Sequence, residues 1–302
     1  MNDILEEHDG VSLRQACRMM NISTSVQRYV PKLRADDDLY SVSLRSMADQ
    51  RPSWGFWKMY HRIRKDGHVV NHKRLYRIYT ECRLNIRRKS KRRLPKRIKQ
   101  PLLQPLVPNL TWSMDFMRDS LFYGSAFRSF NLIDDFNREA LSITVAKSIT
   151  SERVIAELDR VIEWRGTPKS IRVDNGPEFI AEALNDYCKR TDRGIELVFI
   201  QKGKPSQNGY IERFNRTFRE DILDRFQFNS VAQAQHLANT WIWDYNNNRP
   251  HESLANHTPV EFLLKYGKLH CPPASGPLEF TTFQQDIIHN NRSKEQNLYF
   301  RA

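Results

Sequence analysis

Three short segments each hold one carboxylate where chemistry can use it. They are NLTWSMDFM around Asp115, IRVDNGPEF around Asp174 and GKPSQNGYIERFNR around Glu212. Leu110, Trp112, Met114 and Phe116 recur at every second position, so Asp115 reads as part of a strand. Asp174 ends a strand-like run, Ile171 to Val173, just before the breaker Asn175-Gly176-Pro177. Glu212 lies in a stretch from 210 to 225 with no Gly or Pro, which reads as a helix. Only a sheet can bring two strand positions and a helix to one point. Carboxylates held close raise each other's pKa, so such a trio is costly unless a cation offsets it. Hard oxygen donors with water completing the shell suit Mg²⁺ or Mn²⁺.

The elements that must position these acids are read as strands 110–117, 127–136 and 139–147, helix 151–165, strand 170–174, helix 177–191, strand 195–200 and helix 207–225. Two further helices are expected at 230–248 and 258–266. Three consecutive strands followed by alternating helices and strands imply a mixed sheet covered by helices, an α/β arrangement. Asp134 and Asp135 are the strongest competing acids and are read as structural turn residues. Glu178 is read as capping its helix, and Asn175 and Asn208 as orienting loops. Lys202, Lys204 and Gln207 lead into the Glu212 helix, and Arg213, Arg216 and Arg219 follow on it. These residues are candidates for DNA phosphates, with surface ion pairs the plain alternative. Trp241, Trp243 and Tyr245 have the spacing of a helix packing on the core rather than of a base-stacking platform.

The 302 residues suffice for two or three domains. No apolar run approaches the roughly 20 residues that span a bilayer. MNDILEEHDG lacks a signal-peptide pattern. A soluble, intracellular protein without membrane contact is expected. Cys17, Cys82, Cys188 and Cys271 are far apart in sequence, which removes CxxC zinc or redox motifs. The net charge of +13 is unevenly placed. Residues 40–100 carry 19 Lys or Arg against 3 Asp or Glu, so +16, and the remainder is 13 − 16 = −3. One segment therefore holds all the excess, which points to a nucleic-acid partner.

Residues 11–30 read as two short helices broken near Asn21-Ile22-Ser23, with Ser23 available as a cap; helix-turn-helix and plain hairpin readings stay open. Helices are expected from about 38 to 50, 56 to 65 and from Asn71 onward. On the last of these, His72, Lys73, Arg74 and Arg77 are taken as exposed DNA readers. Residues 83–99 hold ten basic residues and no acid, with Arg87, Arg88, Lys89, Lys91, Arg92 and Arg93 at the centre. That run reads as a tether or as an arm along a phosphate backbone, and Pro-rich 101–109 as a spacer. The organisation is thus an N-terminal helical segment 1–35, a DNA-binding module 38–82, a linker 83–109, a catalytic core 110–266 and a tail 267–302.

VDNGPEF, GKPSQNGYIERFN and YNNNRPHESLANHTPVEF together resemble the signature of the retroviral-integrase superfamily of DDE transposases, and most of all OrfB-type transposases of bacterial insertion sequences. The resemblance covers roughly residues 10 to 265. It implies an RNase H-like catalytic core preceded by a small all-α helix-turn-helix region. It also implies that Asp115, Asp174 and Glu212 hold two Mg²⁺ or Mn²⁺ ions, Asp115 bridging them. The implied reaction is metal-dependent cleavage of element ends and transfer of the 3′-hydroxyl into double-stranded DNA, by a homo-oligomer. Some relatives act with an upstream-frame protein. Two other readings remain: an RNase H-fold nuclease without strand transfer, and a catalytically silent DNA-binding relative. Between Asp174 and Glu212 lie 37 residues, two more than that family usually has. The extra pair is assigned to the loop 188–194.

Overall fold

A computed structural model describes residues 12–29, 36–86, 102–174, 176, 182–190, 194–201 and 205–267. The chain divides into two compact units, Met1–Arg92 and Arg93–Ala302. No helix among the described residues is long and apolar enough to cross a membrane.

In the first unit, α1 (Leu13–Met19) and α2 (Thr24–Gln27) form a short pair. Ser12 and Gln15 make a reciprocal capping box on α1, and Ser23 caps α2 by accepting the Val26 N–H at 3.2 Å. Three longer helices follow: α3 (Asp36–Gln50), α4 (Phe56–Lys65) and α5 (His72–Glu81). Asn71 caps α5 by accepting the Lys73 N–H at 2.8 Å. The three helices close on Leu44, Met47, Trp54, Phe56, Met59, Ile63, Leu75, Ile78 and Tyr79.

The second unit is a five-stranded sheet in the order β3-β2-β1-β4-β5. The strands are β1 (Thr111–Ser120), β2 (Ala126–Asp134), β3 (Ala140–Ala146), β4 (Ser170–Val173) and β5 (Glu196–Phe199). β1 pairs antiparallel with β2, and β2 with β3; β4 runs parallel to β1, and β5 to β4. The mixed sheet follows from the connections. A hairpin joins β1 to β2, whereas a return to a parallel neighbour needs the crossover helix α6 (Ser151–Arg165). α7 (Glu182–Lys189) makes the second crossover.

Strand alternation sorts side chains to two faces. Trp112, Met114, Phe130 and Leu132 pack with Val154, Leu158 and Val161 of α6 and Leu184 and Tyr187 of α7. Met117, Phe127, Ile133, Ile143 and Val145 pack with the helices that follow β5. Those are α8 (Gly209–Phe218) and α9 (Val231–Asn247); α10 (Pro259–Tyr266), which begins in a Thr258–Glu261 capping box, packs against α9.

The expected strands and helices are present within about three residues at each end, with three corrections. The helix expected over 207–225 is composite: a 3₁₀ turn at Pro205–Asn208, then α8, then a π-helical turn at Arg219–Leu223. The Asp224 N–H donates to the Arg219 carbonyl, five residues back, so one extra residue sits in that turn. This carries Asp221 inward, where it accepts bonds from Trp241 Nε1 at 3.0 Å and Arg249 Nη1 at 2.6 Å. Secondly, Trp243 is exposed rather than packed, while Trp241 and Tyr245 are buried. Thirdly, of the helix expected over 177–191 only Glu182–Lys189 is described. The tail from 268 onward and most of the basic linker lie outside the described residues.

The Asp221–Arg249 pair is buried, and removing one partner strands the other charge. Asp221→Ala is expected to destabilise the protein by about 3 kcal/mol in denaturant unfolding, with Asp221→Asn losing less. Unfolding midpoints for both variants equal to wild type would show that the pair holds nothing.

Candidate active site

Asp115 lies on the central strand, paired with Asn131 across β2. The parallel register sets Thr111 beside Ser170 and Ser113 beside Arg172. Carried two residues further, the same register sets Asp115 beside Asp174, on strands about 5 Å apart. Both residues belong to the face covered by α8 and α9. The Asp174 side chain accepts the Gly176 N–H at 2.9 Å, which turns the chain away just past the strand. Glu212 is in the first turn of α8, exposed, while Ile211, Phe214 and Phe218 of that helix are buried against the sheet.

Burial pushes the Asp115 carboxyl up to about 6, and the charges of Asp174 and Glu212 push the same way, against hydrogen bonds from the Phe116 N–H and Asn215. The three acids therefore share one electrostatic neighbourhood. Among the described residues no three His, Cys, Asp or Glu side chains lie close enough together to hold an ion as they stand. The donor set nonetheless suits one. It is three hard carboxylates whose mutual repulsion a divalent cation would relieve.

Asn215 Nδ2 donates to Asp115 Oδ2 at 2.8 Å, and Asn131 Nδ2 donates to Asn215 Oδ1 at 2.7 Å. Both amides are buried. A chain of two amides thus fixes which way Asp115 faces, and it ties β2 and α8 to that one oxygen. The sequence reading missed it. The available signal was the spacing of three between Glu212 and Asn215, which puts both on one side of a helix.

The other expected site residues divide. Arg213 and Arg216 are exposed on α8. Arg219 is not a free phosphate ligand: it pairs with Asp119 at 3.3 Å and donates to the Arg118 carbonyl at 2.9 Å, tying the end of α8 to β1. Gln207 accepts the Gln201 N–H at 2.9 Å, and Asn208 is buried. Lys202, Lys204, Asn175 and Glu178 lie outside the described residues, as do Arg87, Arg88, Lys89, Lys91, Arg92 and Arg93. Asp134 and Asp135 are structural. Asp134 accepts the Asn109 and Phe136 N–H groups at 2.9 Å each, and Asp135 pairs with Arg172.

On α5, His72, Lys73 and Arg77 are exposed, but Arg74 is half-buried. This corrects its place among the exposed readers. Arg74 Nε and Arg77 Nη2 donate to opposite oxygens of Asp37 at 2.8 and 2.7 Å. Burial opposes ionisation of Asp37, yet these two bonds hold its carboxyl below the usual range. Both guanidinium groups therefore hold α3 against α5.

A mixed sheet with one acid within its central strand, one just past the end of the parallel neighbour and one in the first turn of a covering helix defines an integrase-type catalytic core. Comparison with known proteins agrees. Integrase core domain models match residues 106–205 and 193–259, and an HTH-like domain model matches residues 35–93. The chain is 36% identical over 271 residues to the Insertion element IS407 uncharacterized 31.7 kDa protein of Burkholderia multivorans, covering 90% of this chain and 97% of that protein. It is 36% identical over 260 residues to the Insertion element IS476 uncharacterized 39.2 kDa protein of Xanthomonas euvesicatoria, covering 86% of this chain and 75% of that one. Among solved structures it is similar to a chain of the simian T-cell lymphotropic virus intasome in complex with PP2A regulatory subunit B56 gamma, with a TM-score of 0.48, 17% identity and 79% of each chain covered. This chain belongs to the family of insertion-sequence transposases with an integrase catalytic core.

A raised folded-state pKa means that the stability Asp115 contributes is fully present below its ordinary value of 3.8 and is lost as pH rises through about 6. With a chelator present, Asp115→Asn should therefore melt above wild type at pH 8. The gap, at most about 3 kcal/mol, should close as pH falls below about 4. Melting curves whose separation does not change with pH would contradict this account of Asp115.

Proposed function

We propose that the protein cleaves the ends of its element and joins the exposed 3′-hydroxyls to double-stranded DNA. The observation that carries this reading is that the parallel register sets Asp174 beside the half-buried Asp115, on the face covered by the helix that has Glu212 in its first turn. Asp115, Asp174 and Glu212 would hold the divalent cations, Mg²⁺ or Mn²⁺, and two ions are proposed. When bound, they supply charge neutralisation at the phosphate under attack. Asn131 and Asn215 keep the Asp115 oxygens in one orientation. Arg213 and Arg216, on the exposed side of α8, bind the flanking phosphates. In-line attack at phosphorus asks little covalent help of the protein, so positioning is its main task. Water attacks first and a 3′-hydroxyl second, at the same site.

The proposed division of labour has residues 38–82 binding duplex DNA and residues 110–266 acting on it. Joining requires two ends to be held together, and one chain has a single acidic trio. A homo-oligomer assembled on DNA is therefore part of the proposal.

Asp115→Asn, Asp174→Asn and Glu212→Gln keep side-chain volume and remove one charge each. All three are expected to abolish Mg²⁺-dependent nicking of end DNA while retaining DNA binding. Wild-type cleavage by any one of them would remove that residue from the trio. Nicked DNA without joined strands from the wild-type chain would make the protein a nuclease. No nicking at all would make it a silent DNA-binding relative. Asn215→Ala should lower the cleavage rate by ten-fold or more, because a ligand released from its partner loses its orientation. An unchanged rate would show that the amide chain is structural only.

A further inference from the structure

We infer that the three-helix module docks on duplex DNA through the face where α4 and α5 begin, with Trp57, His61 and His72 against sugars and base edges and Arg64 and Lys73 on phosphates. The inference rests on the reading of this module as DNA-binding and says which face is used.

Trp57 is 58% exposed although the unit has an aromatic core that could have taken it. Leaving so large a ring in water is unfavourable unless a partner covers it. The ring is not isolated. Its centroid lies 5.8 Å from that of His72, the first residue of α5, and 6.3 Å from that of His61. The two histidine rings are tilted by 31° and 32° from the indole plane, so Trp57 joins a ring of each helix in one cluster. Tyr76, one turn beyond His72, is half exposed and meets Phe56 edge to face.

Helical spacing places cations beside these rings. Trp57, His61 and Arg64 follow at i, i+4 and i+7, one stripe of α4. Tyr76 lies one turn beyond His72 on the same stripe of α5, and Lys73 lies between that stripe and the opposite side, where Arg74 and Arg77 reach Asp37. α4 contains no acid, and α5 only Glu81, which pairs with Arg77 on that opposite side. His61 is held below the ordinary imidazole range by burial first and then by the charges of Lys65 and Arg64.

Rings with polar edges set among cations match a duplex groove, which offers base edges and sugars between two rows of phosphates. A second copy of this face would bring like charges together and is disfavoured. The expected readers thus separate. His72 and Lys73 belong to the docking face, whereas Arg74 and Arg77 serve the fold.

The test uses the full chain and a fluorescent duplex carrying an element end, with affinity measured over a range of salt. Trp57→Ala should weaken binding about ten-fold or more, as loss of a base-edge contact does. Its salt slope and melting temperature should stay unchanged, and Trp57→Tyr should restore most of the affinity. Lys73→Ala should reduce the salt slope by about one phosphate. Arg77→Ala should lower the melting temperature and leave the salt slope intact. Trp57→Ala and His72→Ala binding like wild type would overturn the inference while leaving the module a DNA binder. So would a Trp57→Ala variant that loses self-association but not DNA affinity. Wild-type chain that does not bind the duplex at all would overturn the DNA reading of the module itself.

Discussion

A carboxylate held under a helix on the middle strand of a sheet is the constraint around which the second unit is built. Charge on Asp115 is penalised by burial and by two neighbouring acids. Nothing in folding alone would select such a residue, since an apolar side chain there would cost less. The surrounding architecture therefore has to impose the position. β1 has hydrogen-bonded neighbours on both sides, antiparallel β2 and parallel β4, so its register cannot slip without breaking two ladders. The parallel neighbour is the one that matters for the site, because it ends at the same level and carries Asp174 to the same face.

Glu212 is fixed less rigidly, by a helix rather than a ladder, and contacts along the whole helix make up the difference. Ile211, Phe214 and Phe218 set the rotation of α8 on the sheet. Asn215 joins α8 to the Asp115 oxygen itself. The π turn after Phe218 then sends Asp221 into the Arg249 and Trp241 side chains, and Arg219 ties the same end back to β1. At its other end, Tyr210 donates from its hydroxyl to the Leu102 carbonyl at 2.8 Å and lies under the Arg138 guanidinium. The helix is clamped before and after the residue that must face the acids.

Local pattern made part of this legible. Alternation through Trp112, Met114 and Phe116 fixes β1 and its buried face, and the Asn175-Gly176-Pro177 breaker fixes where the Asp174 strand ends. Capping signals worked for the same reason: Asn71 and Ser23 act within three residues of themselves. What stayed hidden depends on distant partners. Arg74 and Arg77 look like free cations until Asp37, some 37 to 40 positions away, comes beside them. Asn131 looks like an ordinary polar strand residue until Asn215, 84 positions on, reaches it. The π turn was invisible because an unbroken helical pattern does not show one extra residue in a turn whose cause, Arg249, lies beyond the next helix. Trp243 was misplaced because a run of aromatics on a long helix does not reveal which ring falls outside the apolar stripe.

The charge distribution has a consequence for how such a site can work at all. An acidic trio repels the phosphates it is proposed to act on, and outside residues 40–100 the chain carries −3. Attraction to DNA must therefore come from the +16 segment, with the core adding local contacts through residues such as Arg213 and Arg216. Counterion release makes that attraction steeply dependent on salt, with a log-log slope of about −0.9 per phosphate neutralised on duplex DNA. Chemistry at the core depends instead on the arrangement of a few side chains and responds to salt only through occupancy. Separating the two tasks along the chain lets the site keep three mutually repelling acids, which need a cation to become compatible. A core that were itself strongly basic around the trio would neutralise those acids with its own side chains and weaken their hold on a cation. Among the described residues, amides rather than guanidinium groups hold the Asp115 carboxylate, in keeping with the same requirement.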